Sequence, residues 1–243
     1  MTLEQNINAH IGSIGEDFFS ESIKQNKIVL NKIKNFFSLE NFTGTELVGQ
    51  QGRKSDVNLF YGDKIVEASV KSYKPDAGFN QLTRASVSKF CNHFNAPQEI
   101  KTRLENIVVK KSREPNNFLF PKNEEPYWFN FFNSILKDML SWAFSSKSSY
   151  EILVLFDYQN YFFRIYPTRN ILAYIEKQPF KFTKGGFNIG NCVSFQRKGG
   201  NGALSRDIPK TDIKHPGNNI QIKLNIKNFI QEQKINLLAE YNA

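Results

Sequence analysis

The chain has 243 residues, with 32 Lys and Arg against 23 Asp and Glu, for a net charge of +9. That length buries one good core or two small ones, and 40% hydrophobic with 14% aromatic residues excludes a disordered chain. Two cysteines, Cys91 and Cys192, exclude a disulfide framework, and the basic balance favours a polyanionic partner, because neutralised phosphates release condensed counterions.

No apolar run reaches membrane-spanning length, and no basic amphipathic anchor is present. The first residues lack the basic segment and apolar core of a secretory signal. These features predict a cytoplasmic protein that acts on nucleic acid.

In chain order, residues 12–37 place Phe18, Phe19, Ile23, Leu30, Ile33 and Phe37 on roughly one helical face. A turn-rich stretch follows and ends in Gly49-Gln50-Gln51-Gly52. Residues 56–61 and 64–71 read as two strands joined across Gly62-Asp63. A loop at 74–78 leads into a predicted helix at 79–94. Residues 96–125 predict a helix and then a long surface loop, and 128–144 an aromatic-rich amphipathic helix. A second hairpin is expected from 152–156 and 161–166, then a short helix at 170–176. Strands at 192–197 and 220–224 bracket a Gly-, Asn- and Lys-rich loop, and 226–241 predicts a closing helix. The order predicts a single α/β domain over 1–243, with a central mixed sheet flanked by helices.

The chemistry concentrates on the first hairpin. Asp56 opens one strand, and Glu67, Ser69 and Lys71 share one face of the next, because side chains alternate along a strand. Phosphodiester hydrolysis needs charge stabilisation and an activated water, which carboxylate-held Mg2+ supplies. A lysine beside it can orient or deprotonate that water. The backbone carbonyl of Val70 offers a further oxygen ligand. On spacing alone, a surface hairpin with solvated charges remains the plain alternative.

Resemblance adds to this. Gly52-Arg53-Lys54-Ser55-Asp56-Val57-Asn58, Ser69-Val70-Lys71, Gly78-Phe79-Asn80-Gln81 and Val193-Ser194-Phe195-Gln196-Arg197-Lys198-Gly199-Gly200-Asn201-Gly202 resemble the HinP and MspI branch of type II restriction endonucleases, in the PD-(D/E)xK nuclease superfamily. The matching pieces run in the same order, with 96–190 unmatched. The resemblance implies a restriction-endonuclease-like fold, Mg2+ as cofactor, double-stranded DNA as substrate and a cognate DNA methyltransferase as functional partner. It leaves monomer and homodimer both open. It implies that Asp56 binds metal and Lys71 is catalytic. Ser69 stands where most of the superfamily has Asp or Glu and where the HinP and MspI branch has an amide. Glu67, or Glu16 in the first helix, which resembles the superfamily's auxiliary glutamate, could compensate.

DNA contacts form a second layer, within a catalytic hairpin of about 52–72 and a reading strand and loop of about 190–224. Asn80 and Gln81, expected at the start of a helix, and Gln196, Arg197, Lys198 and Asn201 are the base-reading candidates. Gln196, Arg197 and Lys198 alternate sides, so a regular strand cannot present all three to one duplex. Ser72, Lys74 and Arg84 are candidate phosphate contacts. His10, His93 and His215 with the two cysteines lack paired zinc-ligand spacing, and no nucleotide-binding loop is present. The rival readings are a repair endonuclease or nickase on the same fold, and a DNA-binding module whose catalytic site has decayed.

Overall fold

A computed structural model describes residues 3–48, 56–74, 78–144, 148–200 and 207–243, with backbone alone for 3–11. The chain divides into two compact units, Met1–Gly78 with Phe144–Tyr174 and Ile230–Ala243, and Phe79–Ala143 with Ile175–Phe229.

The first unit begins with two helices, α1 (Leu3–Gln25) and α2 (Lys27–Phe37), where the apolar pattern predicted one. The break falls at Asn26, whose side chain accepts the Val29 amide at 3.1 Å and caps α2. Four strands follow, with a helix after the last: β1 (Phe42–Leu47), β2 (Val57–Tyr61), β3 (Lys64–Tyr73), and β4 (Asn80–Ala85), which belongs to the second unit. The first unit resumes with β5 (Glu151–Asp157), β6 (Phe162–Pro167) and helix α7 (Thr168–Ile175). It ends with β11 (Ala239–Asn242).

Its sheet runs β1-β2-β3-β5-β6-β11, with β3 and β5 parallel and every other pair antiparallel. The alternate residues Val57, Leu59 and Tyr61 of β2, Val66, Ala68 and Val70 of β3, and Ile152, Val154 and Phe156 of β5 join Phe19, Ile23, Leu30 and Ile33 of the two helices in one core. Burying such a side chain favours folding by roughly 1.5–3 kcal/mol, so this apolar stripe fixes which face β3 turns to the helices. The Tyr61 hydroxyl also donates to the Leu30 carbonyl at 3.1 Å.

The second unit holds an antiparallel sheet, β4-β10-β9-β8-β7, from β7 (Phe180–Thr183), β8 (Gly186–Ile189), β9 (Val193–Arg197) and β10 (Ile220–Leu224). Helices α3 (Val87–His93), α4 (Gln98–Arg113), α5 (Glu125–Ser134) and α6 (Leu136–Phe144) supply its core with the sheet. Phe187 and Phe195 stack at 4.9 Å, and Phe132 lies 4.6 and 4.7 Å from them. Phe90 and Phe120 complete the cluster.

The predicted mixed α/β class, with a mixed sheet flanked by helices, is the one adopted. Four local expectations are corrected. Residues 79–94 form β4 and then α3, because Ser86 turns the chain and caps α3 at the Lys89 amide. The turn-rich stretch after α2 contains β1, an edge strand with little buried surface and so a weak alternation. The predicted closing helix is only α8 (Ile226–Glu232), after which a 3-10 turn leads into β11, paired with β6. The helix predicted at 128–144 is α5 and α6, broken at Ile135. Among the described residues no helix is long and apolar enough to cross a membrane.

Candidate active site

Asp56 immediately precedes β2, and its backbone amide still donates to the Ala68 carbonyl at 2.9 Å, so it sits beside Ser69. Its Oδ2 accepts the Val70 amide at 2.7 Å, the Lys71 ammonium at 3.1 Å and the Ser69 hydroxyl at a long 3.5 Å. The Lys71 ammonium also donates to the Val70 carbonyl at 3.1 Å. Both charged side chains are largely covered, at 17% exposure for Asp56 and 24% for Lys71. Such a charge-assisted pair is stronger than a solvated one. Ser69, Val70 and Lys71, which the sequence groups with Asp56, each contact Asp56 Oδ2.

Glu16 comes from α1. Burial raises its carboxyl above the ordinary glutamate value; the nearby Asp56 carboxylate raises it further and Lys71 opposes both. Its approach depends on Gly15. A Cβ built there would lie 2.1 Å from Ser72 Oγ and 3.0 Å from Phe156 Cδ1, so only glycine lets α1 lie this close to β3 and β5. Glu67 is placed differently. It pairs with Asn58 on β2 and Glu151 on β5, two residues back along β3 from Ser69.

Asp56, Glu16 and the Val70 carbonyl are hard oxygen donors of the kind a divalent cation takes, and the Asp56 carboxylate raises the proton affinity of Glu16. Among the described residues no group of three or more His, Cys, Asp or Glu is arranged to hold a metal ion. Two carboxylates and a carbonyl, with waters completing the shell, would suit Mg2+.

The predicted DNA-reading residues lie in the second unit. Asn80 and Gln81 are on strand β4, not at a helix start; Gln81 pairs with Lys223 beside an irregularity that leaves Leu82 of β4 without an opposite residue on β10. Gln196 pairs with Gln221, which pairs with Arg84, so two amides and a guanidinium form a row across three strands. Arg197 pairs with Ile220, one register step on, and by alternation occupies the other face. The regular strand thus separates Gln196 from Arg197, as the alternation required. The Lys198 ammonium is lowered by burial and then by Arg84, Arg197 and Lys223. Asn201, with residues 52–55 of the matched segment, lies outside the described residues.

Sequence reasoning missed Asn218 and Gln221. Asn218 is fully buried and accepts the Arg197 Nε–H at 2.8 Å. Neither carries a local motif; only the pairing of β10 with β9 reveals them.

The fold has a counterpart among solved structures. The MspI restriction endonuclease, determined in complex with its cognate DNA, superposes with a TM-score of 0.58 and 14% sequence identity, over 92% of this chain and 93% of that one. No protein-family model matches the chain, and no curated protein matches it. The likeness establishes a restriction-endonuclease-like fold over nearly the whole chain.

Proposed function

We propose that the chain is a magnesium-dependent type II restriction endonuclease that cuts double-stranded DNA at a short specific sequence. The Asp56–Lys71 pair, held at 3.1 Å on one hairpin of this fold, carries the reading. The solved relative in fold was captured on its cognate DNA, which supports DNA as the substrate.

In this reading Asp56 and Glu16 hold the metal, with the Val70 carbonyl within the same cluster of contacts. Bound Mg2+ supplies charge neutralisation at the scissile phosphate and lowers the pKa of a coordinated water. Asp56 is held for that task by the Val70 amide, which donates to Oδ2 at 2.7 Å. Lys71 orients the attacking water and offers a positive charge to the developing pentavalent phosphate. Ser69 adds a neutral hydroxyl, and Glu67 is the reserve carboxylate on the same strand. The products carry 5′-phosphate and 3′-hydroxyl ends. The unit with the five-stranded sheet contributes the DNA-reading side chains, so both units serve one endonuclease. A cognate methyltransferase protects host DNA.

Ser69, a neutral residue at a position where the superfamily usually has an acid, favours a second reading, a DNA-binding module that has lost its chemistry. Incubation with unmethylated phage DNA and Mg2+, followed by sequencing of the ends, separates the two. One short sequence shared by every end supports the endonuclease. Scattered nicks favour a repair enzyme, and retarded but intact DNA favours the binding module.

A further inference from the structure

We propose that Arg197, Lys111 and Lys184 form an anion site that takes a DNA backbone phosphate, and that Asn218 is the positioning residue that aims Arg197 into it. The inference rests on the DNA-binding reading above and adds to it a site within the second unit.

Three segments of the second unit bring these cations together. Arg197 is the last residue of β9. Lys184 lies in the β7–β8 turn, where its carbonyl accepts the Leu119 amide at 3.1 Å and ties the turn to the loop after α4. Lys111, in the last turn of α4, donates its ammonium to the Pro115 carbonyl at 2.9 Å and to the Asn117 carbonyl in that same loop. Helix α4 also packs against the 3-10 turn Pro216–Asn218, whose Asn218 accepts from Arg197 Nε, so Lys111 and Arg197 belong to neighbouring elements. Among the described residues, none of the three cations forms an ion pair with a carboxylate. Burial lowers the Lys111 ammonium, and Lys184 and Arg197 lower it further. Partly buried like charges without a counter-charge oppose folding, and a bound phosphate would remove that cost. The donors are present: Lys111 uses two of its three N–H groups, and the Arg197 guanidinium uses Nε.

Asn218 explains why Arg197 is fixed. Its Oδ1 accepts from Arg197 Nε at 2.8 Å, while its Nδ2 donates to the carbonyls of Lys210 and Asp212 at 2.9 and 2.6 Å. One guanidinium needs an acceptor and two carbonyls need donors, so only this orientation of the amide satisfies all three. The turn around it is stitched to the exit of β9, with the Lys198 amide bound to the Asn219 carbonyl at 2.8 Å and Gly199 to Gly217 at 2.9 Å. Nε is thereby engaged within the protein, and the Nη edge is the part of the fork left to meet a phosphate.

The test is fluorescence anisotropy with a labelled random-sequence 30-base-pair duplex (~100 Å of duplex, spanning several phosphates at one charge per 1.7 Å), in Ca2+ to withhold cleavage, across a salt series. Lys111→Gln, Lys184→Gln and Arg197→Ala should each weaken binding and lower the slope of log K against log salt by about one. Asn218→Ala should weaken binding in the wild-type background and add nothing in the Arg197→Ala background, the signature of acting through Arg197. Unchanged salt slopes, or a full Asn218→Ala loss in both backgrounds, would overturn the inference. If Asn218→Ala fails to fold, Arg197→Lys decides: it keeps a cation there and removes the guanidinium Nε–H that Asn218 accepts. Binding weakened as far as in Arg197→Ala supports the positioning role, and binding and salt slope as in the wild type contradict it. A wild-type protein that binds no duplex at low salt would instead overturn the DNA-binding reading itself.

Discussion

The Lys71 ammonium stands 3.1 Å from Asp56 Oδ2 and 3.1 Å from the carbonyl oxygen of Val70, bridging two oxygen atoms of the donor set assigned to a divalent cation. One side chain thus holds the site together, and in the proposed mechanism it also orients the hydrolytic water. Removing it should separate chemistry from binding. Lys71→Ala is expected to lower the cleavage rate by ~10²–10⁴-fold, the usual range for a lost acid–base group. Duplex affinity in Ca2+ should hold within a few-fold, and Mn2+ affinity by calorimetry should not fall, since no ligand oxygen is removed.

Glu16 should show the opposite balance. Its carboxyl is held above the ordinary glutamate range by burial and by Asp56. The folded protein therefore keeps that proton to higher pH than the unfolded chain does, and stability declines as pH rises from the ordinary carboxylate range through the raised folded value. Above that value the full cost persists. Glu16→Gln is expected to raise the melting temperature of the metal-free protein at pH 8, with a smaller gain at pH 5. It should also abolish the stabilisation that Mg2+ confers. Differential scanning fluorimetry of wild type and variant at both pH values, with and without Mg2+, checks each of these outcomes.

Ser69 contributes a 3.5 Å contact to Asp56, too long to be worth much. Ser69→Ala should leave cleavage within a few-fold and cost less than about 1 kcal/mol of stability. Ser69→Asp places a third carboxylate beside Asp56, so it should lower metal-free stability while tightening Mn2+ binding. Paired calorimetry and urea denaturation check both directions.

Gly15 sets how closely α1 lies against β3. Gly15→Ala introduces a Cβ at 2.1 Å from Ser72 Oγ and should destabilise by roughly 1–3 kcal/mol, as overpacking does. Cleavage should fall as well, because Glu16 moves with the helix. In a Ser72→Ala background the clash with Oγ is gone, and part of the stability loss should be recovered, leaving the 3.0 Å approach to Phe156. Urea midpoints of the four proteins in this cycle give the answer.

The hairpin was legible because its signals are local. Alternation from Val57 to Tyr61 and from Val66 to Val70 marks the buried face, which leaves Ser69 and Lys71 on the face beside Asp56. The helix content at 98–113 and the strands at 220–224 followed from equally local patterns. What escaped was set by tertiary pairing. Asn80 and Gln81 lie on a strand because β10, more than 130 positions away in the chain, supplies their hydrogen-bond partners. Likewise β11 exists because β6 offers an edge, although residues 226–241 continue a helical pattern. The β7–β8 hairpin turns at Lys184-Gly185, a basic turn whose pairing no short-range signal announced. Asn218 reveals its role only once β9 and β10 lie side by side.

The most direct measurement compares wild-type protein and Lys71→Ala on unmethylated phage DNA, each with Mg2+ and with EDTA. Discrete fragments are expected from the wild type in Mg2+ alone, and none from Lys71→Ala under either condition. Fragments that persist in Lys71→Ala, or in EDTA, would contradict a metal-dependent centre built on Asp56 and Lys71.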